Sequence, residues 1–168
     1  QTCALPICLY ALPAHYRVPH PAALSNAIYA PSYISLHWAL SFFGLIPEKT
    51  VTYTSVTTRK PAFFVNSVGT FRYRHIKPAA FFGYHAIELD GAQVLMADPE
   101  KALLDFWHLD PKPWTLARMT EMRFQNMEQV DADRLRTYAE RYRSPRLVRA
   151  VPIWLKIRDF EHEGTREL

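Results

Sequence analysis

The chain is poor in the residues from which the most recognisable catalytic motifs are built. It has five glycines, Gly44, Gly69, Gly83, Gly91 and Gly164, all well apart, so no Gly-rich phosphate loop can form. Its two cysteines, Cys3 and Cys8, have no partner cluster and support neither a disulfide framework nor a zinc site. A reducing, cytoplasmic setting is expected from that usage. The histidines, His15, His20, His37, His75, His85, His108 and His162, show no paired metal-ligand spacing. No Gly-x-Ser-x-Gly nucleophile elbow occurs, and no apolar run approaches the length needed to cross a bilayer. These gaps remove the common cofactor, metal and membrane classes from the reading, and no cofactor is expected.

What is present is a globular composition, 49% hydrophobic and 21% charged, with aromatics at 14% spread along the 168 residues. The net charge of +4 permits a nucleic-acid partner without requiring one. It is unevenly placed. Lys49, Arg59, Lys60, Arg72, Arg74 and Lys77 face only Glu48 in one stretch. Glu88, Asp90, Asp98, Glu100, Asp105 and Asp110 face only Lys101 in the next. Such runs are ordinarily solvated faces.

The chain is organised around Ala97 to Leu109. Asp98 is an N-cap candidate, Pro99 suits the first helical position, and Glu100 favours the helix dipole. Ala102, Leu103, Phe106 and Trp107 make an apolar stripe, with Lys101, Asp105 and His108 expected mainly outside it. Gln93 to Ala97 reads as a strand feeding this helix, and Asp90-Gly91 as the turn of a hairpin with Gly83 to Leu89. Further upstream, Ala22 to Ile28 has the pattern of a short helix within a linker. Ser35 to Gly44 reads as a buried helix capped by Ser35 and stopped by Gly44.

Thr50 to Thr58 reads as a strand, and Phe63 to Val65 with Thr70 to Ile76 as a hairpin. In the second arm Phe71, Tyr73 and His75 alternate with Arg72 and Arg74, which places His75 as a hydrogen-bonded core histidine. Trp114 to Glu128 and Ala132 to Tyr142 read as helices, with Arg146 to Arg158 a third element broken at Pro152. A helix, several antiparallel strands and then helices predict an α+β fold.

The chain begins at Gln1, and its methionines are Met96, Met119, Met122 and Met127. Ala4-Leu5-Pro6-Ile7 is what GCT-CTT-CCG-ATC encodes, a string found in a widely used sequencing adapter. Gln1 to about Ile7 is therefore expected to be assembly carry-over at a truncated 5′ end, leaving Cys8 as the one informative cysteine. A signal peptide is disfavoured, because a basic n-region is lacking and Pro6 and Pro13 interrupt the apolar stretch.

Two chemical readings follow from the residues. Asp90, Asp98, Glu100 and Lys101, acids around a strand end with a lysine, make a metal-dependent nuclease candidate, although capping and the helix dipole already account for Asp98 and Glu100. Ser55-Val56-Thr57-Thr58-Arg59-Lys60, followed by Arg72, Arg74 and Lys77, suits contact with phosphate oxygens, or equally a charged edge that resists aggregation. Arg134, Arg136, Arg141, Arg143, Arg146 and Arg149 repeat the theme, partly offset by Asp131, Asp133 and Glu140. A plain protein-interaction module is the third possibility.

Taken together and in order, five segments resemble the AbiEi family of antitoxins: Pro31-Ser32-Tyr33-Ile34-Ser35-Leu36, Ala39 to Ile46, Ser55-Val56-Thr57-Thr58, Gly69-Thr70-Phe71 with Tyr73-Arg74-His75-Ile76, and Asp98 to Asp105. The resemblance covers Leu9 to about Leu109 well and the helical remainder loosely. It implies an antitoxin of a type IV toxin–antitoxin pair used in abortive phage infection, without catalysis of its own. An N-terminal winged helix-turn-helix would bind operator DNA and repress the operon. A C-terminal domain would counter an AbiEii-like nucleotidyltransferase toxin, with no stable complex required. The winged helix is expected upstream and is missing here except for a final strand at Leu9 to Leu12. On this reading residues 1–30 are the artefact, that remnant and a linker, and residues 31–168 are the antitoxin domain. Arg59, Lys60, Arg72, Arg74 and Lys77 become an auxiliary phosphate-contacting face. No membrane partner is expected.

Overall fold

The structure is a computed structural model and describes residues 20–166. The expectations for Gln1–Ile7 and for a strand at Leu9 to Leu12 lie outside the described residues. Among the described residues the chain folds as α+β, with six helices and one six-stranded sheet. The order along the chain is α1 (Pro21–Ile28), β1 (Ser32–Ile34), α2 (Leu36–Phe42), β2 (Thr52–Thr57), β3 (Ala62–Val65), β4 (Thr70–His75), β5 (Tyr84–Leu89), β6 (Ala92–Ala97), α3 (Pro99–Leu109), α4 (Leu116–Glu121), α5 (Ala132–Arg141) and α6 (Pro145–Arg166). No helix among the described residues is long and apolar enough to cross a membrane.

The sheet order is β3-β4-β2-β1-β6-β5, and the sheet is mixed rather than antiparallel throughout. The two expected hairpins form, β3 with β4 and β5 with β6. Asp90 and Gly91 both take positive φ, 50° and 79°, which a tight primed turn between twisted strands requires. The parallel pairs come from the connections. After β2 the chain runs to the far edge as β3 and returns as β4 beside β2, pointing the same way. The three-residue β1 then sits at the centre, antiparallel to β2 and parallel to β6 through Ile34 and Met96. Its three residues are too few for alternation to register, and periodicity passes over it.

Register assigns the two faces of the sheet. Tyr73 and Ser55 are cross-strand partners, and both reach α1: Tyr73 donates to the Ser25 carbonyl at 2.6 Å, and the Ser25 and Ser55 hydroxyls lie 2.9 Å apart. Helix α1, with Ala22 and Ser25 buried, therefore packs on the sheet. Tyr33, Val56, Arg72 and Arg74 point to the opposite face, whose central part is covered by α3 and the C-terminal helices.

Three local expectations are corrected. The helix expected over Trp114 to Glu128 is only Leu116–Glu121. Beyond it Arg123 and Asn126 turn left-handed, and the segment serves the open end of α2. Gln125 N donates to the Leu45 carbonyl, Asn126 Nδ2 to that of Gly44 and Gln129 Nε2 to that of Phe43, satisfying the carbonyls of the turn by which the chain leaves α2. Pro152 does not break α6, which runs through it. The proline lies on the exposed side, so the carbonyl it orphans can face water while Leu147, Val151, Trp154 and Leu155 stay buried on the other side. His75 is exposed, not core, because β4 ends at the sheet margin; its Nδ1 lies 2.9 Å from the Arg59 carbonyl.

Candidate functional site

Helix α3 is enclosed by α2, α5, α6 and the sheet, and eight consecutive residues, Glu100 to Trp107, are buried. Enclosure on all sides overrides the one-sided burial that a stripe assumes. Lys101 and Asp105, expected outside the apolar stripe, are both 0% exposed. One turn apart on α3, they form a salt bridge inside the protein.

Every polar atom of that pair has a partner. Lys101 Nζ donates to Asp105 Oδ1, to the Tyr33 hydroxyl at 2.8 Å and to the Tyr142 hydroxyl at 2.5 Å. Asp105 Oδ2 accepts from Tyr33 at 3.0 Å and Ser35 at 2.7 Å, and Oδ1 also accepts from Tyr142. Three aromatic rings, Tyr33, Phe82 and Tyr142, lie 4.6 to 5.3 Å from the ammonium. Burial pushes the Lys101 pKa down, opposed by the Asp105 charge. Burial, reinforced by Asp105, pushes both tyrosines well above their ordinary value. The result is a clasp that joins β1, α3 and the end of α5, with Lys101, Asp105, Tyr33 and Ser35 fully buried and Tyr142 part-buried at its rim.

The N-terminus of α3 carries a second cluster. Asp98 occupies the N-cap position, but its side chain makes no cap hydrogen bond. Instead Oδ1 meets His85 Nδ1 at 2.8 Å and Oδ2 accepts from Tyr138 at 2.8 Å, because β5 and α5 converge there. Ser35 likewise caps nothing with its hydroxyl, which is committed to Asp105. The next residue, Leu36, takes a left-handed φ of 59°, strain of about 1–3 kcal/mol that the packing around the start of α2 must sustain. Gly83 sits at the seam with φ 70°; a Cβ there would lie 2.8 Å from Tyr138 and 3.2 Å from the Lys101 stem.

The four nuclease candidates do not converge. Asp90 lies in the exposed β5–β6 turn, at the opposite end of the six-residue β6 from Asp98. Glu100 is buried and accepts from Asp131 N at 2.7 Å, with Arg134 at 3.6 Å; burial raises its pKa against those partners. Lys101 is spent on Asp105. Among the described residues no group of three or more His, Cys, Asp or Glu side chains is placed to hold a metal ion. His85, to which sequence gave no role, was within reach of one signal. The register of the expected β5–β6 hairpin sets it opposite Met96, two residues before Asp98.

The basic residues divide between the faces of the sheet. Arg72 and Arg74 project together, Arg72 above the Phe63 ring at 5.5 Å and Arg74 donating to the Leu109 carbonyl at 3.1 Å. Lys77 is exposed just beyond the end of β4. Arg59 goes the other way, donating to the Ala30 carbonyl at 3.1 Å and lying over Tyr29, a ring that packs on Tyr73. Lys60 is exposed at the same bend. Several later arginines are structural. Arg146 donates to the Trp107 and His108 carbonyls, and Arg141 lies over Phe82.

A separate open groove of about 1030 Å³ runs between α4, α5 and α6, lined by Leu116, Ala139, Val148, Val151, Leu155 and Phe160 among others. No family model matches the chain, and neither a curated protein nor a solved structure matches it.

Proposed function

We propose that this chain is the antitoxin domain of a type IV toxin–antitoxin pair, AbiEi-like, which counters a nucleotidyltransferase-like toxin. In its full-length form it would also repress its operon through an upstream winged helix bound to operator DNA. Its site of action is the cytoplasm, and it works by binding, without catalysis. One observation carries the reading. Two of the segments on which the resemblance rests are 68 to 72 residues apart in sequence, yet they supply Tyr33 and Ser35 on one side and Lys101 and Asp105 on the other side of one buried clasp. Residues that make a family resemblance and also make each other's hydrogen bonds are what a shared fold requires. The ion pair at its centre is buried and fully paired, so its role is to set the sheet against the helices, leaving the surface for recognition.

The test is made at the native locus. The full-length gene and its downstream neighbour are cloned, and the neighbour is induced with and without the first gene. Growth arrest by the neighbour, relieved when the first gene is present, is the expected result. A harmless neighbour, or arrest that persists, overturns the proposal. The apolar groove favours a second reading, a module that grips a protein partner tightly. Co-purification of the toxin in a stable complex would move that reading ahead.

A further inference from the structure

The flank of the sheet at β3 and β4 carries exposed side chains that neither the clasp nor the core uses. Phe63 is 56% exposed although it is a large aromatic on a strand. Its cross-strand partner is Arg72, whose guanidinium sits over the ring, and Arg74 follows on the same face. Lys77 continues the basic run past the strand end. Asp110, next to the Leu109 whose carbonyl Arg74 meets, is paired with Arg118 at 2.5 Å. An exposed ring flanked by cations, on an exposed part of the strand face, offers a π surface and phosphate partners together.

We propose that the Phe63–Arg72–Arg74–Lys77 strip binds single-stranded nucleic acid. One base stacks on Phe63, and successive phosphates meet Arg72, Arg74 and Lys77. Charge complementarity selects a polyanion, and the ring selects among polyanions. In a duplex the faces of the bases are already stacked on each other, and only an unpaired base can be laid on a side chain. Arg72 and Arg74 project from the strand roughly 7 Å apart, which suits neighbouring phosphates of an extended single strand. Recognition of this kind tolerates any base, so the strip supplies affinity and position rather than a sequence code. The inference deepens the nucleic-acid side of the proposed function and fails separately from it. Growth rescue in the toxin experiment, with no oligonucleotide binding here, would sink this inference alone.

The experiment is fluorescence anisotropy with the 168-residue chain and three labelled probes of about 15 nucleotides, a typical site length: oligo(dT), oligo(U) and a DNA hairpin duplex. At least one single strand should bind more tightly than the duplex. Phe63→Ala should weaken that binding roughly tenfold or more, the size of one base-on-aromatic stack, and leave duplex binding unchanged. Phe63→Leu keeps apolar cover without the ring and should lose about as much, which separates stacking from a packing defect. Arg72→Gln with Arg74→Gln should flatten the salt slope by about one to two, near the value for two lost contacts to a single strand. The proposal is overturned if no probe binds, if the duplex binds as tightly as the single strands, or if Phe63→Leu binds like the parent. A difference between oligo(dT) and oligo(U) identifies the strand chemistry, and either preference supports the proposal.

Discussion

On the β1–β6 side of the sheet a lysine lies among three aromatic rings with no exposure at all, and a carboxylate and two tyrosine hydroxyls accept its hydrogen bonds. On the β3–β4 side an arginine lies over one aromatic ring in open solvent, and among the described residues no carboxylate is bonded to it. The ingredients, a cation and an aromatic surface, are the same. Solvent decides their effect. Inside, each charge has lost its hydration, and its worth depends on the partner being there. Outside, water does the partner's work and the cation is available to something else. The first region is expected to govern stability and the second recognition, and substitutions can separate them.

The largest effect is expected from splitting the buried pair. Lys101→Ala or Asp105→Ala leaves an uncompensated charge in the interior and should cost about 3–5 kcal/mol, read as a fall in the urea midpoint. The double substitution should cost clearly less than the sum, because the second change removes the charge that the first one stranded. Additive losses would mean that the two side chains act independently and that the clasp does not exist.

Next comes the seam beside the clasp. Gly83 and Gly91 share a positive φ, but only Gly83 has neighbours, Tyr138 and the Lys101 stem, in the space a Cβ would fill. Gly91→Ala should cost about 1 kcal/mol for backbone strain alone. Gly83→Ala should cost about 2–3 kcal/mol, since overpacking adds to that strain. Equal losses would show that the stem can move aside and that the packing around Lys101 is loose.

How much of this was legible in the sequence follows from the range of each signal. The two hairpins and α3 were readable because their signals are local: a turn dipeptide, an alternation, a proline at a helix start. The clasp was not, and for a physical reason. Lys101 and Asp105 are spaced like an ordinary exposed helix pair, and only enclosure of α3 by α5 and α6 makes them buried. Local rules likewise assigned Asp98 and Ser35 to capping, whereas partners far along the chain, Tyr138 and Asp105, outbid the helix ends for their oxygens. The basic strip was half legible. Alternation put Arg72 and Arg74 together, and the expected hairpin's register sets Phe63 opposite Arg72, but nothing in the sequence said that Arg59 lies across the sheet.

A smaller effect is expected from acid. Burial lowers the pKa of His108, with Arg146, Lys101 and Lys77 adding to it against the pull of Asp105, and burial lowers that of His37 as well. Both groups bind a proton less readily folded than unfolded. As pH falls below the ordinary value of 6.5 the unfolded chain takes up protons first, and stability declines until the folded pKa is passed. Glu100 works the other way in its own range, because burial raises its pKa and the folded state is protonated first. The melting temperature should therefore drop between about pH 7 and pH 5, and His108→Asn should make that slope shallower. A slope that His108→Asn leaves unchanged would place the acid sensitivity elsewhere.

The smallest effect is the one that sharpens the comparison most. Arg72→Gln should change stability by no more than about 0.5 kcal/mol, the usual range for a surface position with no buried partner. Its guanidinium lies over the Phe63 ring at 5.5 Å, and glutamine keeps enough of the stem to shade that ring. A loss of the size expected for Lys101→Ala would mean that the β3–β4 flank is held together by its charges in the way the clasp is. A flat stability curve accompanied by weaker single-strand binding would mean that the arginine is kept for a partner. That outcome is the only one in which a residue costs the fold nothing and the function something, and the exposed flank of the sheet is where the structure provides for it.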